Sequence, residues 1–256
     1  VDAQGHGQLL RKADGRAAPL KPQAAACAQG GAHARLTCSS CHTAWAPQCT
    51  TCHTSFDTRS QGHDHLAMKF VQGEWMETSV DFEAGPPALG VRLASGLGER
   101  GGEVVDTFVP GMIMTIDRNL LAGGPPDTVF RRLFAPIAAH TTQRQSRTCA
   151  SCHNNPVALG LGKGELRFMP APKGPGRLGL LGRLGRWQFK PARPALPQDG
   201  LPEDAWTGFM TLRSGMVSTQ PGARPFNVAE QQRILTVGAC LSCHQEASAV
   251  MREALR

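Results

Sequence analysis

Four copies of Cys-x-x-Cys-His, at Cys38 to His42, Cys49 to His53, Cys149 to His153 and Cys240 to His244, constrain this chain more than any other feature. Two thiols at that spacing followed at once by an imidazole read as a covalent haem-attachment site. The thiols would form thioethers with the macrocycle while the histidine takes an axial place on iron. The expected load is therefore four haem c groups, bound through Cys38, Cys41, Cys49, Cys52, Cys149, Cys152, Cys240 and Cys243, with His42, His53, His153 and His244 as proximal ligands. Paired cysteines can also hold zinc or form redox disulfides. A zinc site built from Cys38, Cys41, Cys49 and Cys52 would leave both following histidines, and two distant motifs, without an account.

Aromatic residues make up only 5% of the 256 residues and Tyr is absent, so the apolar mass of an ordinary core is thin. Four macrocycles would supply part of it. With Gly 29 and Pro 19, the expected fold is mostly loop and short α-helices wrapped around four haems, with a small β element in the middle. The ninth cysteine, Cys27, belongs to no motif and reads as an inert thiol, an interchain disulfide or an unusual iron ligand.

The formal charge of +7 invites a nucleic-acid reading. Ionised haem propionates would bring it to about +3 oxidised and about −1 reduced, which argues against such a partner. No stretch is long and apolar enough for a transmembrane helix. Val1-Asp2-Ala3-Gln4 lacks the basic start and apolar run of an export signal.

Along the chain, residues 1–37 are rich in Ala, Gly and Gln and read as an arm. Residues 38–65 form a two-haem segment. The first cysteines of its motifs are eleven positions apart, which predicts neighbouring haems on one loop-helix segment around Trp45-Ala46-Pro47. Residues 66–139 hold no motif. Trp75 to Phe82 and Val104 to Ile116 carry strand signals, and Pro126 opens an expected helix through Phe130, Leu133 and Phe134. Residues 140–256 carry the third and fourth motifs. Between them, no acidic residue occurs from 166 to 198, while Arg167, Lys173, Arg177, Arg183, Arg186, Lys190 and Arg193 do. That segment reads as a solvated basic loop, with a docking surface for an acidic partner or lipid headgroups, or propionate pairing, as alternatives. Val228 to Val237 is an expected helix, and a second, from Gln245 to Leu255, would carry His244 in its first turns.

What sits opposite each proximal histidine separates a wire from an enzyme, because two protein ligands close the iron and an open position admits substrate. His6, His33, His63, His65 and His140 remain, five for four irons. His33 and His140 lie just before motifs and lead the candidates, although a ligand need not serve its nearest haem. One of the five should be spare. Met112 and Met114 compete as ligands but alternate as in a packed strand. Bis-histidine ligation throughout is the expectation, with no catalytic residue assigned.

The motifs CSSCH, CTTCH, CASCH and CLSCH make the chain similar to the multihaem c-type cytochromes. HARLTCSSCHTAWAPQCTTCH and HTTQRQSRTCASCHNNPVALGLGKGEL resemble stretches of large bacterial multihaem proteins related to octahaem tetrathionate reductase. The chain departs from those by having four motifs rather than eight and no Cys-x-x-Cys-Lys variant, which argues against carrying the reductase activity over. By count and layout it is also similar to tetrahaem subunits of extracellular cytochrome filaments. These resemblances imply electron transfer, export to a periplasmic or extracellular space with a signal removed, and redox partner proteins or copies of itself as partners. They also imply a homopolymer in which His6 or the His63/His65 pair would ligate an iron across the interface. The runner-up is a small reductase of a nitrogen or sulfur oxyanion at one open haem.

Overall fold

The computed structural model describes residues 7–20, 31–49, 52–79, 82–94, 102–117, 124–139, 141–171, 185–211, 216–218 and 220–254. His6, Cys27, His140 and the centre of the basic segment, 172–184, lie outside them. Among the described residues, strands hold 42% and helices 16%. The expectation of loops and short helices around haems is thereby corrected: this is a β-rich fold.

Its main sheet runs β12 (Met216–Ser218), β9 (Thr128–Pro136), β8 (Glu103–Asp117), β4 (Cys52–Asp64), β5 (Lys69–Ser79), with β7 (Ala88–Leu93) also paired to β8. β8 is the spine. Its first half pairs antiparallel with β7, its second half pairs antiparallel with β9, and Ile113 and Met114 meet His53 and Thr54 of β4 in parallel. Smaller two-stranded antiparallel sheets join β1 (Gln8–Leu10) to β2 (Ala17–Pro19) and β3 (Ala46–Cys49) to β6 (Phe82–Gly85). The strand signals at Trp75 to Phe82 and Val104 to Ile116 fall on β5 and β8 of the main sheet, much larger than the small element expected, and on β6.

Several local expectations give way. The arm at 1–37 contains the β1–β2 hairpin. The helix expected after Pro126 is strand β9, and one buried cation explains why its alternation was hidden. Arg132 and Phe134 both point inward, at 1% exposure each. The Arg132 guanidinium is satisfied there by Asp199, at 2.8 and 3.1 Å, and by the carbonyls of Leu201, Pro202 and Glu203. A buried charge with partners of this kind reads as a polar position in sequence. The basic segment is no open loop at its ends, where β10 (Gly164–Pro170) and β11 (Gly185–Pro191) form a hairpin.

The core has two parts. Leu89, Val91, Leu159, Leu161, Phe226 and Leu235 form one, with Cys152, Trp187 and Ile234 packed against it. Phe108, Phe134 and Trp206 form the other, Trp206 stacking on Phe134 at 4.9 Å. Gly90 admits the Trp206 ring, which would overlap a Cβ at that position. Three short or medium helices complete the site region: α1 (Cys38–His42), α2 (Cys149–His153) and α3 (Val228–Leu241). α3 starts at a capping box between Asn227 and Glu230. The last helix, α4, spans only Ala249–Ala254, so His244 precedes it rather than riding in its first turns. No helix among the described residues is long and apolar enough to cross a membrane.

Candidate functional site

The first and third motifs fold alike because their local sequences match, Thr-Cys-Ser-Ser-Cys-His and Thr-Cys-Ala-Ser-Cys-His. In each, the threonine is an extended N-cap whose Oγ1 accepts from the serine N–H three residues on, at 3.3 Å for Thr37 and 3.2 Å for Thr148. One helical turn follows. It puts the two cysteines on one face with the histidine directly after them, the presentation that double thioether attachment requires. The fourth motif makes the same turn at the end of α3, with the Cys243 and His244 N–H groups donating to the Cys240 carbonyl at 3.1 and 2.9 Å.

The second motif differs. β3 ends at Cys49 and β4 begins at Cys52, in place of the loop-helix segment expected around Trp45-Ala46-Pro47.

Distant chain brings three motifs together. The residues leading into the third motif lie along α1, with Gln143 N donating to His42 O and Arg147 N to Cys41 O, both at 2.8 Å. The chain after the fourth motif folds back on α2, where Ala150 N donates to Glu246 Oε1 at 3.0 Å. A cleft of about 440 Å³ lies between them, bordered by Ala150, Cys243, His244 and Glu246. Burial first, and then the nearby Glu246 carboxylate, push the Cys149 thiol above its ordinary range. Cys38, Cys149, Cys152, Cys240 and Cys243 are free thiols.

The histidines carry the sharpest geometry. Nδ1 of His153 lies 2.8 Å from the Ile234 carbonyl and Nδ1 of His42 lies 3.1 Å from the Gln143 carbonyl. A carbonyl only accepts, so each of these nitrogens carries a proton, and in a neutral ring with that tautomer the lone pair is on Nε2. Burial, with a smaller push from His33, holds His153 below its ordinary value and hence neutral, although the Ile234 contact pulls the other way. His33 comes from a short 3-10 turn, Gly31–His33, and its ring centroid stands 6.1 Å from that of His153. Two imidazoles on opposite sides of one metal ion, each nitrogen about 2.0 Å from it, have centroids roughly 6 Å apart. The separation of the two rings is of that size.

The other candidates are placed differently. His63 and His65 sit together at the end of β4, with ring centroids 4.6 Å apart, and His63 packs on Phe70 at 5.2 Å. The buried Nδ1 of His63 has no hydrogen-bond partner among the described residues. Among the described residues no three His, Cys, Asp or Glu side chains converge as a metal cluster. An axial haem pair needs only two.

Sequence reasoning missed the residues that hold His153. The carbonyls of Ile234 and Leu235 accept from His153 Nδ1 and Trp187 Nε1, the latter at 3.0 Å, so consecutive groups of α3 fix a motif histidine and a core indole. Gly238, an interior helical glycine, was the available signal of close approach. Comparison with family models, with curated proteins and with solved structures finds no match.

Proposed function

We propose that the chain transfers electrons through haems attached at its four Cys-x-x-Cys-His motifs, with His33 and His153 as the axial pair of the third. The observation that carries this reading is the 6.1 Å separation of those two rings, one proximal by sequence and one outside every motif. His153 is supported for this role by its Nδ1–carbonyl anchor and its burial, which leave Nε2 unprotonated. The His42 anchor on Gln143 repeats the arrangement at the first motif. A bound haem supplies one reversible electron at iron. The chain's own residues hold the His42 and His153 imidazoles and, at the first, third and fourth motifs, present the thiols on single helical turns.

Two measurements on the exported, mature protein test this. Intact mass counts covalent haems, and the visible spectrum of the dithionite-reduced protein is taken before and after carbon monoxide. Four haems and no response to carbon monoxide support electron transfer through closed irons. A chain without haem overturns the reading. Carbon monoxide binding at one haem of the four replaces it with the oxyanion-reductase reading.

For a partner, the β4–β5 hairpin favours a second copy of this chain. It exposes Leu66, Met68, Phe70, Trp75 and Met76, at 99%, 73%, 71%, 51% and 45%, beside the His63/His65 pair. Exposed apolar side chains of this kind mark a contact site. Thioether haem attachment implies assembly outside the cytoplasm, so a periplasmic or extracellular location belongs to the same proposal.

A further inference from the structure

This inference rests on the axial pair just proposed and concerns what sets its distance. Both rings refer to one helix. The Ile234 carbonyl of α3 holds His153, and Glu230 lies one turn earlier on the same helix. Glu230 is fixed by the Asn227 N–H at 2.9 Å and by Arg224, whose Nη1 and Nη2 stand 2.8 and 3.1 Å from its carboxylate. Arg224 also donates from Nε and Nη2 to Glu103, at 3.0 and 2.9 Å. On the far side of Glu103, Arg35 donates from Nη2 to Oε2 at 3.0 Å and from Nε to the backbone carbonyl at 2.9 Å. Its Nη1 lies 4.0 Å from Glu230 Oε1. Two guanidiniums and two carboxylates thus alternate between α3, the start of β8 and the residue two places from His33.

We infer that Arg35, Glu103, Arg224 and Glu230 form a clamp that sets His33 over His153, with Arg35 as the positioning residue for that axial ligand. The backbone supports the same segment, through Val105 N to Arg35 O at 2.7 Å and Leu36 N to His33 O at 3.0 Å. Thr37 N also donates to Val105 O at 3.0 Å, so residues 35–37 lie against β8 through the backbone. The Arg35 fork adds a side-chain link from this segment to Glu103 and, through Arg224, to Glu230 of α3. An isolated surface ion pair contributes little, but here Glu230 is 10% exposed and the charges share partners, so the arrangement acts as a network.

The test uses the haem-loaded full chain with Arg35→Met, Arg35→Lys and His33→Ala, counting haems by intact mass and recording reduced spectra with and without carbon monoxide. The clamp predicts that Arg35→Met keeps all four haems yet opens one of them to carbon monoxide, as His33→Ala does. It also predicts that the double variant opens no second haem and that Arg35→Lys restores part of the closed spectrum. If Arg35→Met loads fewer haems, Glu103→Gln provides the same comparison with a milder change and a smaller opening. Arg35→Met and Glu103→Gln proteins that stay closed while His33→Ala opens would overturn the clamp and leave the axial pair intact. A closed His33→Ala protein would overturn the pair, and the clamp with it.

Discussion

Gly238 of α3 and His153 of α2 meet so closely that a Cβ on the glycine would lie 2.6 Å from the histidine carbonyl oxygen and 3.2 Å from Trp187 Cζ2. The two helices are therefore in register only while residue 238 has no side chain. Gly238→Ala gains about 0.8–1.0 kcal/mol of helix propensity but must push α3 off α2, an overpacking cost of about 1–3 kcal/mol. The expected outcome is net destabilisation together with a perturbed His153 environment, read by urea unfolding and by the low-spin spectrum. A variant more stable than the parent would show that the contact relaxes freely.

The two threonine N-caps should differ in strength. Thr148→Ala removes one cap and is expected to cost about 0.5–2 kcal/mol, with Thr148→Ser close to neutral. Thr37→Ala should cost more, because Thr37 Oγ1 also donates to Asp106 Oδ1 at 2.8 Å. Asp106 is buried in an ion pair with Arg92, which stands 2.6 Å away. Thermal unfolding of the three variants ranks them, and equal losses for Thr37→Ala and Thr148→Ala would remove Asp106 from the account.

Arg132 is the most consequential buried charge. Replacing it with Met leaves the Asp199 carboxylate, 9% exposed, without its cation and takes one donor from each of the Leu201, Pro202 and Glu203 carbonyls. Breaking a buried pair from one side costs about 3–5 kcal/mol. Urea denaturation should show a loss of that size, and a loss below about 1 kcal/mol would mean that water replaces the guanidinium.

Acid should loosen the region around α3 first. Glu103 is held below its ordinary value of 4.5, chiefly by the hydrogen bond from Arg224. Burial pushes Glu230 up, but Arg224, the Asn227 N–H and Arg35 outweigh it and leave it lowered as well. For depressed carboxyls the unfolded chain takes up protons first on acidification. Their stabilisation is complete above pH 4.5 and disappears as pH falls through the lowered folded values. Stability measured from pH 7 downward should decline more steeply in the parent than in a Glu103→Gln/Glu230→Gln variant, and parallel curves would rule out these two groups as the source.

The β4–β5 hairpin gives a test of self-association. Phe70→Lys and Leu66→Lys place charges on its apolar surface without touching the core, and should shift the protein toward monomer in sedimentation at fixed concentration. His63→Ala with His65→Ala should do the same only if a histidine bonds across the contact, so an effect of the lysine variants alone would indicate apolar docking without ligation.

The four Cys-x-x-Cys-His motifs were legible in the sequence because a spacing of three and four residues is local and repeats four times. The strands of β8 were legible for the same reason, from runs of Val, Ile and Phe. The extent of the sheet was not. Its long-range pairings leave no mark in a short window, and inward charges such as Arg132 blur the two-residue period of β9. His33 was a candidate from its place before the first motif, but its position over the third depends on β8 and α3. The carbonyls that orient His42 and His153 belong to Gln143 and Ile234, and a backbone acceptor has no sequence signature.

Because α1 hangs on distant strand and loop, the chain also carries a timetable. Ser40 Oγ reaches Val105 O across 65 residues, His42 Nδ1 reaches Gln143 O across 101, and Arg224 reaches Glu103 across 121. Contacts of such sequence separation form late and slowly. Cys38 and Cys41 thus leave the point of synthesis long before the partners that enclose their helical turn exist. The first motif is approachable from every side during that interval, and its helical turn is enclosed only once Val105, Gln143 and Arg147 arrive.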